Sequence, residues 1–190
     1  MKTTNEKDNK KARYRFFVTA YPVVLVLMSI GINFFMSDFK PVVISLPSKD
    51  IVTIVTIAIG LLVLNHAWIM TATELVRVNH DLRATTEEWE ESGLKEEDAS
   101  KAGLKALERC HNMHRNTTEN TVYFALLLFV FICTSPQIHV ASVWCIGFAV
   151  ARLGYTYAYL KKKTGLRGIG MSLSLLSMFG MLSYLCMALI

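Results

Sequence analysis

Arg115, Asn116 and Glu119 bring a cation, an amide and an anion to positions i, i+1 and i+4, so a helix would carry all three on one face. They close the run Glu108-Arg-Cys-His-Asn-Met-His-Arg-Asn-Thr-Thr-Glu119, which abuts the apolar stretch Thr121 to Cys133. Ionisable groups at the mouth of a membrane helix are costly unless a partner, a ligand or water meets them. This combination of types suits a zwitterionic, peptide-like ligand better than a lipid. A second set, Arg152, Tyr155 and Tyr159, stands at i, i+3 and i+7. It would lay one guanidinium and two phenols along one helix face. Tyrosines near membrane ends also serve as interfacial anchors, and either phenol alone has that reading. Arg152, roughly two turns inside the interface, calls for a partner. Arg167 closes a third, basic run from Lys161. It could mark the membrane boundary, as the lysines before it do. It could equally stand against a thiolate, because a nearby cation lowers a thiol's pKa and makes it nucleophilic near neutral pH.

Other polar groups carry less. His111 and His114 stand at i, i+3, but no HExxH pattern or pair of intramembrane histidines accompanies them, so no metal site is expected. Glu74 and Arg77, also at i, i+3, can pair with each other at a helix end, or Arg77 can face the same pocket as Arg115. Asn65 and His66 read as hydrogen-bonding glue between helices.

The elements that must position these groups are membrane helices. The chain has 190 residues, 53% of them hydrophobic, with a net charge of +5 and a mean hydropathy of +0.37, too apolar for an ordinary soluble domain. A span needs about 20 apolar residues. Phe16–Met36, Ile51–Val76, Val140–Leu160 and Ile169–Ile190 meet that need. Thr121–Cys133 is short, but its helix should extend backwards through the polar run, giving five helices. Arginine and lysine collect in Lys2 to Arg15, Arg77 to Arg115 and Lys161 to Arg167, while Thr134 to His139 carries none. With a cytoplasmic N-terminus every basic cluster falls inside, as the positive-inside tendency asks. No continuous basic stripe with stacking groups exists, which argues against nucleic acid as a partner. The connection Arg77 to Leu107 holds a capping-box pattern at Thr85 to Glu88 closed by Gly93, and either Asp98 or Ser100 can cap a helix running on into the third span.

The two polar runs resemble the MAPEG family, the membrane-associated proteins in eicosanoid and glutathione metabolism. Glu108 to Glu119 is similar to the segment that opens the second family helix in its prostaglandin synthase branch. Ala151-Arg-Leu, Tyr155 and Tyr159, followed by Arg167, resemble the third-helix signature and the start of the fourth helix in its leukotriene synthase branch. The likeness covers Ile51 to Ile190. It implies an all-α integral membrane protein with a four-helix domain over 51–190; residues 1–50, outside the likeness, add a basic tail and the extra transmembrane helix read above at Phe16–Met36. It further implies a homotrimer in the lipid bilayer, with glutathione as co-substrate bound between neighbouring subunits near the cytoplasmic face. By position Arg115, Asn116, Glu119, Tyr155, Tyr159, Arg152 and Arg77 would bind glutathione, the wall of Arg152, Tyr155 and Tyr159 coming from a neighbouring chain. Arg167 would be the catalytic, thiolate-stabilising arginine. Asn112 and Gly168 depart from the prostaglandin synthase pattern, where an arginine and a serine stand. Tyr155 departs from it too and agrees with the leukotriene synthases.

Together these readings predict a glutathione-dependent transferase, with peroxidase chemistry also open, acting on lipophilic electrophiles or hydroperoxides. Bacterial inner membrane and endoplasmic reticulum are both compatible hosts, with the active site facing the cytoplasm. The rival is a non-catalytic lipid-binding member of the same family, which would have no use for a zwitterion clamp.

Overall fold

The computed structural model describes residues 4–37 and 44–189, with side chains from Asn9 to Ala188. Asp38 and Lys40 of the first connection, and Ile190 at the expected end of the last helix, lie outside the described residues. The elements are α1 (Thr4–Met36), α2 (Lys49–Asn79), α3 (Thr86–Ser92), α4 (Lys101–Ile132), α5 (Ile138–Ala141), α6 (Gly147–Leu160) and α7 (Thr164–Leu189). A π-helical turn, Ser142–Ile146, joins α5 to α6 without a break, so Ile138–Leu160 forms one rod. Among the described residues four helices are long and apolar enough to cross a membrane: α1, α2, this rod and α7. The protein is thus an all-α integral membrane bundle. α4 is as long as these, at 32 residues, but its charged first half keeps it out of that set, so of the five expected spans four are apolar enough to cross and α4 is not.

Local signals set the ends. Ser100, rather than Asp98, caps α4 by accepting from Gly103 N at 3.0 Å, and Ser48 caps α2. Thr85 caps α3 through Glu88 N, and the Glu88 carboxylate reaches back to Ala84 N at 2.8 Å, one residue before the position a capping box would use. Hydrogen bonds to its own backbone N–H and to the Thr85 hydroxyl hold the Glu87 carboxyl below the usual range. Gly93 ends α3 at φ +69, the left-handed region open to glycine.

The bundle has two cores of different character. The larger fills the half away from the basic runs, where Ile54, Ala58, Phe131, Trp144 and Met181 meet, and Phe124 stacks on Phe148 at 4.0 Å. The smaller lies at the basic end, where Ile69, Met113 and Tyr155 pack with Tyr159 and Met171 under the polar side chains.

α1 lies along α7 and is fastened by hydrogen bonds rather than by apolar area alone. Lipid tails are as apolar as leucine, so polar contacts and close packing hold membrane helices together. Asn33, fully buried, donates to Gly180 O (2.8 Å) and Ser183 Oγ (2.9 Å) and accepts from Trp144 Nε1 (2.8 Å). Ser29 and Ser183 share a hydroxyl contact at 3.1 Å, and Tyr21 donates to Ser172 at 2.6 Å. Gly180 makes room for this hub, since a Cβ there would stand 2.4 Å from the Trp144 ring. Asn33→Leu would orphan the buried Trp144 N–H and should destabilise the protein by about 1–3 kcal/mol. Thermal unfolding in detergent measures this, and an unchanged midpoint would mean the hub does not hold α1.

Candidate functional site

The polar turn of α4, the end of α6 and the start of α7 converge at the basic end around one cavity of about 590 Å3. From α4 come Asn112, Arg115, Asn116 and Glu119; from α6, Tyr155 and Tyr159; from α7, Arg167, Gly168 and Met171. The spacing on α4 works as read, with residues 115, 116 and 119 on one face, and Asn112 joins them there. Arg115 Nη2 donates to Asn112 Oδ1 at 2.8 Å, so Asn112 orients its neighbour. Glu119 is exposed and has no ion-pair or hydrogen-bond partner among the described residues. The Arg167 guanidinium rests over the Tyr159 ring at 5.1 Å from its centroid, within cation–π range. The Tyr155 and Tyr159 rings stand 5.6 Å apart.

Both walls belong to one chain. This differs from the expectation that Arg152, Tyr155 and Tyr159 face the α4 groups across a subunit boundary. Within a protomer α6 packs on α7 and reaches α4, so Tyr155 and Asn116 already share a cavity. A close approach of backbones makes this possible. A Cβ on Gly170 would stand 2.9 Å from the backbone N and Cα of Tyr155 and 3.1 Å from Ala151 O. Backbone cannot yield as a side-chain tip does, so only glycine lets α7 lie this near α6. Gly170→Ala should therefore push Arg167 and Met171 away from Tyr155. The expected cost is about 1–3 kcal/mol of stability, read by thermal unfolding, with a raised KM for the ligand. Equal melting and equal KM would contradict the close approach.

Arg152 is placed differently from the sequence expectation. It is fully buried and has no surface on the cavity. Its Nη2 donates to Thr117 Oγ1 (2.7 Å) and Asn116 Oδ1 (3.1 Å), Nη1 lies 3.9 Å from Met171 Sδ, and the guanidinium covers the Tyr155 ring at 4.2 Å. No carboxylate neutralises it among the described residues, and its Nε has no partner. It stands behind the wall and fixes three of the residues around the cavity: Asn116, Tyr155 and Met171. With the Asn116 oxygen taken by Arg152, the amide N–H groups are left to donate elsewhere. Arg77, on α2, is also outside this chain's cavity; it pairs with Glu74 at 2.5 Å, the alternative its spacing allowed.

Three contributors escaped the sequence reading. Met171 and Gly170 lie on α7 beside Arg167, and Arg109 binds the end of α6. A glycine spaced three residues past a candidate arginine is a signal for close packing, although glycine is common in membrane helices.

Chemically the wall offers two guanidiniums, one carboxylate, amides and two phenols at a bundle end. That is a receptor for a small zwitterion with more than one anionic group. On the other side of α4, a separate apolar groove of about 700 Å3 runs between α2 and α4, from Val55 and Ile132 to His66 and Thr117.

Fold and site together define an all-helical membrane protein with a polar ligand cavity at its basic end. The MAPEG family model matches residues 53–187, which is most of the chain, and the protein belongs to that family. It is a family that includes glutathione-dependent transferases as well as non-catalytic members. No curated protein and no solved structure gives a match. α1 lies outside the matched residues.

Proposed function

We propose that the protein is a membrane-bound glutathione transferase, with lipophilic electrophiles as its second substrates and peroxidase chemistry on hydroperoxides as a further capacity. The observation that carries this reading is the convergence of Arg115, Asn116, Glu119, Tyr155, Tyr159 and Arg167 on one cavity from three helices. Glutathione has two carboxylates and one ammonium. Arg115 and the Asn116 amide suit the former, with Arg167 left for the thiol, and Glu119, unpaired among the described residues, suits the latter. A cavity of about 590 Å3 falls within the range of ligand sites.

In this mechanism Arg167 stabilises the glutathione thiolate after the thiol loses its proton to water. The sulfur lone pair forms a bond to the electrophilic carbon, and the leaving group departs with the electron pair of the broken bond. With a hydroperoxide, sulfur instead attacks the outer oxygen, the O–O bond breaks to give alcohol, and a second glutathione reduces the sulfenic acid to disulfide and water. The lipophilic substrate reaches the thiol from the bilayer. Residues 51–190 form the catalytic unit in this reading, facing the cytoplasm on the positive-inside tendency. A homotrimer would let the α2 end of a second copy bring Arg77 to the cavity, which it does not line in its own chain.

Glutathione binding followed by ultraviolet thiolate absorbance tests the proposal. Thiolate formation in the wild type, and its loss in Arg167→Ala, are the expected results. The α2–α4 groove favours a second reading, a non-catalytic lipid binder, and this gains if lipid binds while glutathione does not.

A further inference from the structure

Arg109 takes no part in the chemistry above, yet its contacts lead directly to the catalytic end of the cavity. It lies on α4, half-buried and outside the cavity wall. Its Nε donates at 3.2 Å to the main-chain oxygen of Tyr159, and its Nη2 donates to the same atom. That carbonyl belongs to the last turn of α6, where helix acceptors lack partners and the macrodipole gathers negative charge. The α6–α7 turn closes on the same atom: Lys162, at φ +56, donates its N–H to Tyr159 O at 3.2 Å. The Arg109 guanidinium also lies 4.8 Å from the centroid of the Tyr159 ring. Arg167 uses that ring as well, at 5.1 Å. Tyr159 is therefore gripped by Arg109 at both its main chain and its ring, and it bears Arg167.

We propose that Arg109 is a positioning residue that fixes Tyr159 and, through it, the place of the Arg167 guanidinium at the cavity wall. This rests on the functional reading above, in which Arg167 holds the thiolate. The planar fork makes the role specific to arginine: one guanidinium reaches a carbonyl with two donors while lying against a ring. A lysine ammonium is a point charge that does one or the other. Glutathione's own anchors in this reading, Arg115, Asn116 and Glu119, come from α4, whereas Tyr159 and Arg167 come from α6 and α7, so the effect falls on the sulfur end.

The full-length protein in detergent provides the test. Because Arg109→Ala also removes packing, Arg109→Lys and Arg109→Gln carry it, with thermal unfolding as the check on folding. Both variants should keep glutathione affinity within about threefold, yet shift the pH midpoint of thiolate formation up by about one unit, a tenfold loss of thiolate below the midpoint. Conjugation of chlorodinitrobenzene should lose about tenfold in kcat at neutral pH, with recovery at higher pH. Arg109→Lys combined with Arg167→Ala should cost no more than Arg167→Ala alone, since both act through one guanidinium. An unmoved thiolate midpoint, a loss confined to KM, or additive losses in the double variant would overturn the proposal. A wild type that binds no glutathione removes the functional reading first and the proposal with it, a result distinct from any that compares variants.

Discussion

Arg167→Ala should lower glutathione conjugation by about 10²–10³-fold in kcat, the usual consequence of losing one preorganised group aimed at developing or held negative charge. Glutathione affinity should fall much less, because Arg115, Asn116 and Glu119 remain on α4. The physical reason lies in where the cation stands. Arg167 opens onto the cavity from the first turn of α7 and is held over Tyr159. At a membrane boundary water screens a charge poorly on the lipid side, so a fixed guanidinium favours thiolate over thiol more than a solvated one could. Steady-state kinetics with a lipophilic aryl halide separates the two parameters. A variant with unchanged kcat would remove Arg167 from the chemistry. A variant with raised KM and unchanged kcat would make it a binding group only.

The second large effect is expected at Arg152. Arg152→Ala should destabilise the protein by about 2–4 kcal/mol, combining a cavity in the bundle with acceptors left unpaired at Asn116 and Thr117. Glutathione affinity should also fall about tenfold, because Asn116 is then free to turn its amide. Arg152→Met separates the two contributions. It fills most of the volume and removes a buried charge that lacks a carboxylate partner among the described residues, so stability should largely return. Affinity should stay low, since methionine cannot donate to Asn116. Thermal unfolding and glutathione KM, measured on both variants, decide this. If Arg152→Met restored binding as well, the hydrogen bonds to Asn116 and Thr117 would have no role in the site.

Much of the site was readable from spacing because helix geometry is regular. Once Ser100 caps α4, the faces of residues 112 to 119 follow from the 3.6-residue period. The same holds for Glu74 and Arg77, whose i, i+3 separation gave their pairing as one of two options. Arg152 shows where that regularity stops. It shares a helix face with Tyr155, but it lies about 4.5 Å deeper along the axis. At that depth Thr117 of α4 and Met171 of α7 close over it. Depth in a bundle depends on how helices are stacked, and no spacing within one helix reports it.

The assembly of both cavity walls within one chain has a similar cause. It depends on Gly170 letting α7 lie against α6, a contact between segments that the sequence alone does not order in space. Arg109 was visible as a charge, but its partner is a backbone carbonyl fifty residues away, which has no residue-type signature. The docking of α1 had a local trace. Ser29 and Asn33 form an i, i+4 polar stripe in an apolar span, the pattern that membrane helices use to bind one another. The π-helical turn at Ser142–Ile146, which carries Trp144 of that hub, had no legible trace in the sequence.

The most direct measurement is a pH titration of ultraviolet thiolate absorbance for glutathione bound to the purified wild-type protein. Bound glutathione should ionise about two pH units below the free thiol, as a cation held beside sulfur in a poorly hydrated cavity would cause. Bound glutathione that ionises no more easily than the free tripeptide, or a protein that binds none, would contradict an arginine-stabilised thiolate as the basis of function.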